Sequence, residues 1–221
     1  MLSGKKKLLN LYIMKRENQI IQRKIRKGNF LSLEEQLAIF EMEDPAKWLR
    51  IYLRFYKIYF AEIEKKIVDL GDIKLLSFYF REYRPKLITV EYLFESNNVS
   101  ALDVYLRHNL LTKEYQIKLI KLNNLQLLKT YFDNWYLEPA AQEYLLKNSS
   151  QKIMRAYITS HAFTAPLEVV FVEKNITPLL QYYVKKHYLH QKARILMLNT
   201  ADASVLRSHI RIWGPHEPEK K

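Results

Sequence analysis

The chain has 221 residues, no cysteine and a formal net charge of +13. The lack of cysteine excludes disulfides, thiolate metal sites and cysteine nucleophiles, and it suits a reducing, cytoplasmic setting. No apolar run approaches the ~18 residues that cross a bilayer, so integral membrane insertion is not expected.

The charge is concentrated at the start. Residues 1–27 hold nine Lys or Arg and one Glu, a net +8, whereas residues 28–221 hold 27 basic and 22 acidic residues, a net +5. Leu8, Leu9, Tyr12, Ile13, Ile20, Ile21 and Ile25 lie near helical spacing, which predicts an amphipathic helix capping whatever follows. Its cations Lys5, Lys6, Lys7, Arg23, Lys24, Arg26 and Lys27 form a candidate contact for nucleic acid or an acidic partner. The apolar stretch "KKKLLNLYIM" runs into Lys15 and Arg16 instead of a small-residue cleavage site, so a secretory signal is not expected.

Residues 28–213 read as a tandem repeat. Ile67-Val68, Leu93-Phe94, Leu119-Ile120, Leu145-Leu146, Phe171-Val172 and Met197-Leu198 recur every 26 residues without a gap. A second stripe follows the same step through Leu76, Leu102, Leu128, Met154, Leu180 and Leu206. Three residues on comes the column Tyr79, Tyr105, Tyr131, Tyr157, Tyr183 and His209, then Phe80, Leu106, Phe132, Ile158, Val184 and Ile210. An earlier unit with Ile39-Phe40, Trp48-Leu49 and Tyr52-Leu53 fits if the turn near Asp44-Pro45 holds an extra residue or two. A fixed period of this length marks units too small to bury an apolar face alone, which they bury against their neighbours.

Within a unit the apolar spacing is three and four, so each unit predicts two short helices. Gly71, Asn97, Asn123, Ser149, Asn175 and Ala201 form a column suited to a left-handed helix end. The next column, Asp72, Asn98, Asn124, Ser150, Ile176 and Asp202, is rich in N-cap side chains. Thr112 and Thr164 are expected to cap first helices, with Pro139 and Pro166 in the first turn. The unit "YLEPAAQEYLLKNSSQKIMRAYITSH" (136–161) resembles the short αα-repeats of bacterial helical-repeat proteins, HEAT-like or leucine-rich-variant-like. That resemblance implies an all-α fold, a right-handed αα-repeat solenoid of about seven units, and no shared catalytic residues. Residues 214–221 read as a polar tail.

Two surfaces stand out. Val169-Val170 and Ile195-Leu196 stand where earlier units have pairs such as Lys65-Lys66 or Ile117-Lys118, predicting an apolar patch for another protein or a second copy. Arg81, Arg107, Lys129, Arg155, Lys185, Arg207 and Arg211 form a basic ridge along the second helices, the basis of an alternative reading in which DNA or RNA is the ligand. His161 and His187 share a column with Trp135 and Trp213, and no Asp, Glu or Cys completes a metal set around them. No phosphate loop, dinucleotide glycine pattern, HExxH or GxSxG occurs. The expectation is a non-catalytic scaffold without a cofactor, with an enzyme of unrecognised site as the third reading.

Overall fold

The computed structural model describes the backbone of residues 2–214 and the side chains of residues 14–214. Among these residues it holds fifteen helices and no strand. Helix α1 (Leu2–Arg26) stands alone and the others come in seven pairs: α2 (Leu33–Ile39) with α3 (Pro45–Tyr52), α4 (Ala61–Leu70) with α5 (Ile73–Glu82), α6 (Leu87–Glu95) with α7 (Val99–His108), α8 (Lys113–Lys121) with α9 (Leu125–Asn134), α10 (Pro139–Asn148) with α11 (Gln151–Ser160), α12 (Ala165–Glu173) with α13 (Thr177–Lys186), and α14 (Gln191–Thr200) with α15 (Ala203–Trp213). The chain divides into two compact units, Met1–Asn109 and Leu110–Lys221. In the first, α1 packs on α2 and α3, α3 on α5, α4 on α6 and α5 on α7. In the second, the first helices α8, α10, α12 and α14 pack in succession, and the second helices α9, α11, α13 and α15 do the same.

Local chemistry sets the helix ends. Asp72, Asn98, Asn124 and Ser150 each accept a hydrogen bond from a first-turn N–H of the second helix. Ile176 has no acceptor to offer and Asp202 makes no such bond, although both hold the N-cap position. Thr112 and Thr164 sit at N-caps without a side-chain capping bond, and Pro139 and Pro166 occupy first-turn positions. Of the column predicted to be left-handed, only Gly71, Asn123 and Asn175 have positive φ. Ser149 and Ala201 are extended instead, each giving its N–H to the carbonyl four residues back. Successive first helices therefore end in two alternating ways, which doubles the structural period while the apolar columns keep the shorter one.

The apolar columns form the core. Ile67, Leu93, Leu119, Leu145, Phe171 and Met197 are buried, as are Tyr79, Tyr105, Tyr131, Tyr157, Tyr183 and His209. In the last pair the columns open: Ile210 is 45% exposed where its five equivalents are at most 2% exposed, and Leu198 is also exposed. No later helix covers α14 and α15 among the described residues. The early unit fits with one extra residue between α2 and α3 and another between α3 and α4, and buries Ile39, Leu49, Tyr52 and Leu53.

Two polar columns join successive helix pairs. Glu64, Gln116, Gln142 and Glu168 on first helices are buried, and each accepts the backbone N–H of the N-cap residue of the next first helix: Lys86, Glu138, Thr164 and His190. A second column lies at or just past the ends of the second helices. Asn109 Nδ2 donates to the Phe80 carbonyl at 3.2 Å, His161 Nε2 to Phe132 and His187 Nε2 to Ile158 at 2.6 Å each, and Trp213 Nε1 to Val184 at 2.7 Å. The receiving carbonyls lie in the last turn of the preceding second helix, where no intrahelical donor is available.

Candidate functional site

His161 and His187 are engaged in this packing. Because a carbonyl only accepts, His161 and His187 carry the proton on Nε2, which points each ring into the preceding helix pair. No cluster of three or more His, Asp or Glu able to hold a metal exists among the described residues. Glu168 is buried, and its carboxylate accepts the Tyr183 hydroxyl at 2.6 Å, the His190 N–H at 2.9 Å and His190 Nδ1 at 2.7 Å. Glu64 is held similarly by Tyr79, Thr89 and the Lys86 N–H. Gln116 and Gln142 fill the same column in other layers, so the geometry is that of a joint between layers and not of an acid–base pair.

The apolar patch lies on α12 and α14. Helix α12, "APLEVVFVE", is apolar on nearly every side, since Glu168 is buried and only Glu173 is charged and exposed. Phe171 and Val172 fill the core, and Val169 and Val170 are left half-buried on its outside. On α14, Ile195 is 51% exposed and Leu196 half-buried. Ile195 is thus the patch's most accessible member.

The basic ridge is exposed at all seven positions, but its two units differ. In the first, Arg107 pairs with Asp103 at 2.7 Å and Arg81 with Glu82 at 2.9 Å. In the second, Lys129, Arg155, Lys185, Arg207 and Arg211 form no ion pair among the described residues. Arg155 lies over the Tyr182 ring, 4.6 Å from its centre. Helices α9, α11, α13 and α15 carry seven Lys or Arg and one acid, Asp133.

Of the N-terminal cations, Lys5, Lys6 and Lys7 fall outside the described side chains. Lys24 pairs with Glu35 and Arg26 lies over the Trp48 ring at 5.3 Å, so both help to hold α1, whose Ile21 and Ile25 are buried. Arg23 and Lys27 are exposed.

One surface escaped the sequence reading. The irregular connector after α3, residues 53–60, exposes Phe55 and Tyr59, and its Tyr56 meets the ring of Phe30; Phe30, Phe55 and Tyr59 are each more than half accessible. Its run "LRFYKIYF" alternates rings with cations, and neither Phe55 nor Tyr59 falls in a repeat column. That mismatch was the available signal. No protein-family model, curated protein or solved structure matches the chain. No helix among the described residues is long and apolar enough to cross a membrane.

Proposed function

We propose that this chain is a non-catalytic binding module, a right-handed αα-repeat solenoid whose second unit engages another protein, or a second copy of itself, through Val169, Val170, Ile195 and Leu196. The observation that carries this reading is helix α12. A helix apolar all round belongs in a core, yet Val169 and Val170 remain half-buried on its outer side beside the exposed Ile195. Covering that surface would contribute roughly 25 cal/mol per Å² before the costs of association. The test compares the parent with Ile195→Glu and with Val170→Glu/Leu196→Glu, using circular dichroism for fold and light scattering and pull-down for assembly. Association lost with helicity unchanged is the expected result. Variants that fold and still associate as the parent does would remove the interface.

A second reading, nucleic-acid binding, is favoured by the unpaired cations of the ridge in the second unit. It predicts affinity that falls steeply with salt and weakens across all sequences in Arg155→Glu/Arg207→Glu. Absence of binding at low salt would eliminate it.

A further inference from the structure

The connector between α3 and α4 has the chemistry of a stacking platform. Gly28 closes α1 with φ +64°, a left-handed conformation that favours glycine. Three consecutive ring carbons of Phe55 lie 3.4, 3.6 and 3.6 Å from where a Cβ on Gly28 would stand. An edge-on approach would leave the outer two carbons clearly farther than the middle one, so the Phe55 ring lies face-down on the glycine. Its other face is open, and the residue is 57% exposed.

Phe30 sets its ring against the Tyr56 ring at 79° with centres 5.5 Å apart and is 52% exposed, and Tyr59 is 58% exposed. The connector is fixed in place, because Tyr56 Oη donates to the Gly28 carbonyl at 2.8 Å and Lys86 Nζ donates to the Tyr59 carbonyl. Around the rings stand the exposed cations Lys27, Arg54 and Lys57. Neither residues 26–33 nor residues 53–60 contain an acid.

We propose that this aromatic and basic connector binds single-stranded nucleic acid, its rings stacking on unpaired bases while Lys27, Arg54 and Lys57 meet the phosphates. Stacking accepts any base because every base has a π-face, and a cationic surround tracks the backbone. A ring used to enter a lipid surface would stand clear of the protein. Phe55 instead has one ring face packed on Gly28 and stays 57% exposed, the presentation that a stacked base needs, with the exposed Phe30 ring held nearly perpendicular to Tyr56 nearby. The ligand class is that of the second reading above, but of the residues named there or in the sequence only Lys27 is shared.

The experiment measures fluorescence anisotropy of the full chain with a labelled single strand of about 12 nucleotides, a duplex of equal length, and vesicles containing phosphatidylserine. The strand is expected to bind more tightly than the duplex. Phe55→Ala/Tyr59→Ala is expected to lower its affinity by about tenfold or more with circular dichroism unchanged. Phe55→Trp, which keeps a stacking ring, should retain binding and show quenching of the new indole when the strand is added. Lys185→Glu/Arg211→Glu, on the ridge, should leave the strand's affinity within about twofold. The proposal is overturned if the alanine pair binds as the parent does, if duplex and strand bind alike, if the ridge variant alone abolishes binding, if vesicles bind and the strand does not, or if nothing binds at low salt.

Discussion

Glu168 is fully buried, and its neighbours in the same column show how far its charge matters. Gln116 and Gln142 use the amide oxygen to accept the next layer's N–H and the amide nitrogen to donate to the carbonyls of Leu111 and Leu137 at 3.1 and 2.8 Å. Glu168→Gln is therefore expected to stay within about 1 kcal/mol of the parent in urea unfolding. Glu168→Leu strands the buried Tyr183 hydroxyl, which should cost roughly 1–3 kcal/mol, and also removes the acceptor of the part-buried His190 N–H. A glutamine variant as damaged as the leucine one would show that the charge itself is needed.

The tyrosine column gives a pH prediction. Burial raises the phenol pKa of Tyr79, Tyr157 and Tyr183, and that of Tyr131 to about 12, with the carboxylates of Glu64 and Glu168 adding to the effect at Tyr79 and Tyr183. An unfolded tyrosine titrates at about 10. Above that pH the native chain keeps protons that the unfolded chain releases, so stability is intact below about pH 10 and falls as pH rises further. Phenolate absorbance of these four residues should appear together with loss of helical signal. A normal titration at constant helicity would contradict their burial.

Each helix of the seven pairs, α2 to α15, is too short to persist alone, and packing against the next layer holds it. Leu128 and Leu180 are fully buried in the second stripe, whereas Lys118 is exposed. Leu128→Ala and Leu180→Ala should each cost about 2–5 kcal/mol, and Lys118→Ala close to nothing; equal small effects would mean that the register is wrong. Capping divides the second helices in the same way. Asn124 accepts first-turn N–H groups and Asp202 does not. Asn124→Ala should lose about 0.5–2 kcal/mol and Asp202→Ala distinctly less, as read by thermal unfolding.

For the whole molecule, contacts within each compact unit run mainly between successive helix pairs, so structure depends on neighbours more than on distant closure. Removing residues 137–162, one period, keeps every apolar column in step and should leave a helical protein with a cooperative transition. Removing 24 residues from the same place turns the following helices by two positions and should not. If both deletions behave alike, the repeat register is not what organises the fold.

The 26-residue step determined the helix pairs, the core columns and the start of each second helix, because burial of one face fixes apolar spacing and an N-cap acts within three residues. It also marked Val170 and Ile195 as out of pattern, although not how exposed each is. Tertiary structure alone decided the rest. Asn123 and Asn175 turn left-handed while Asn97 in the same column does not, a difference that residue type does not settle. Gln142 and His187 read as polar residues near helix ends until the N–H of Thr164 and the carbonyl of Ile158 are placed against them. The open face of Phe55 likewise depends on Gly28, a residue 27 positions earlier that the period does not connect to it. Spacing along the chain records which side of a helix is buried; it does not record which distant backbone group completes a polar side chain or lies under a ring.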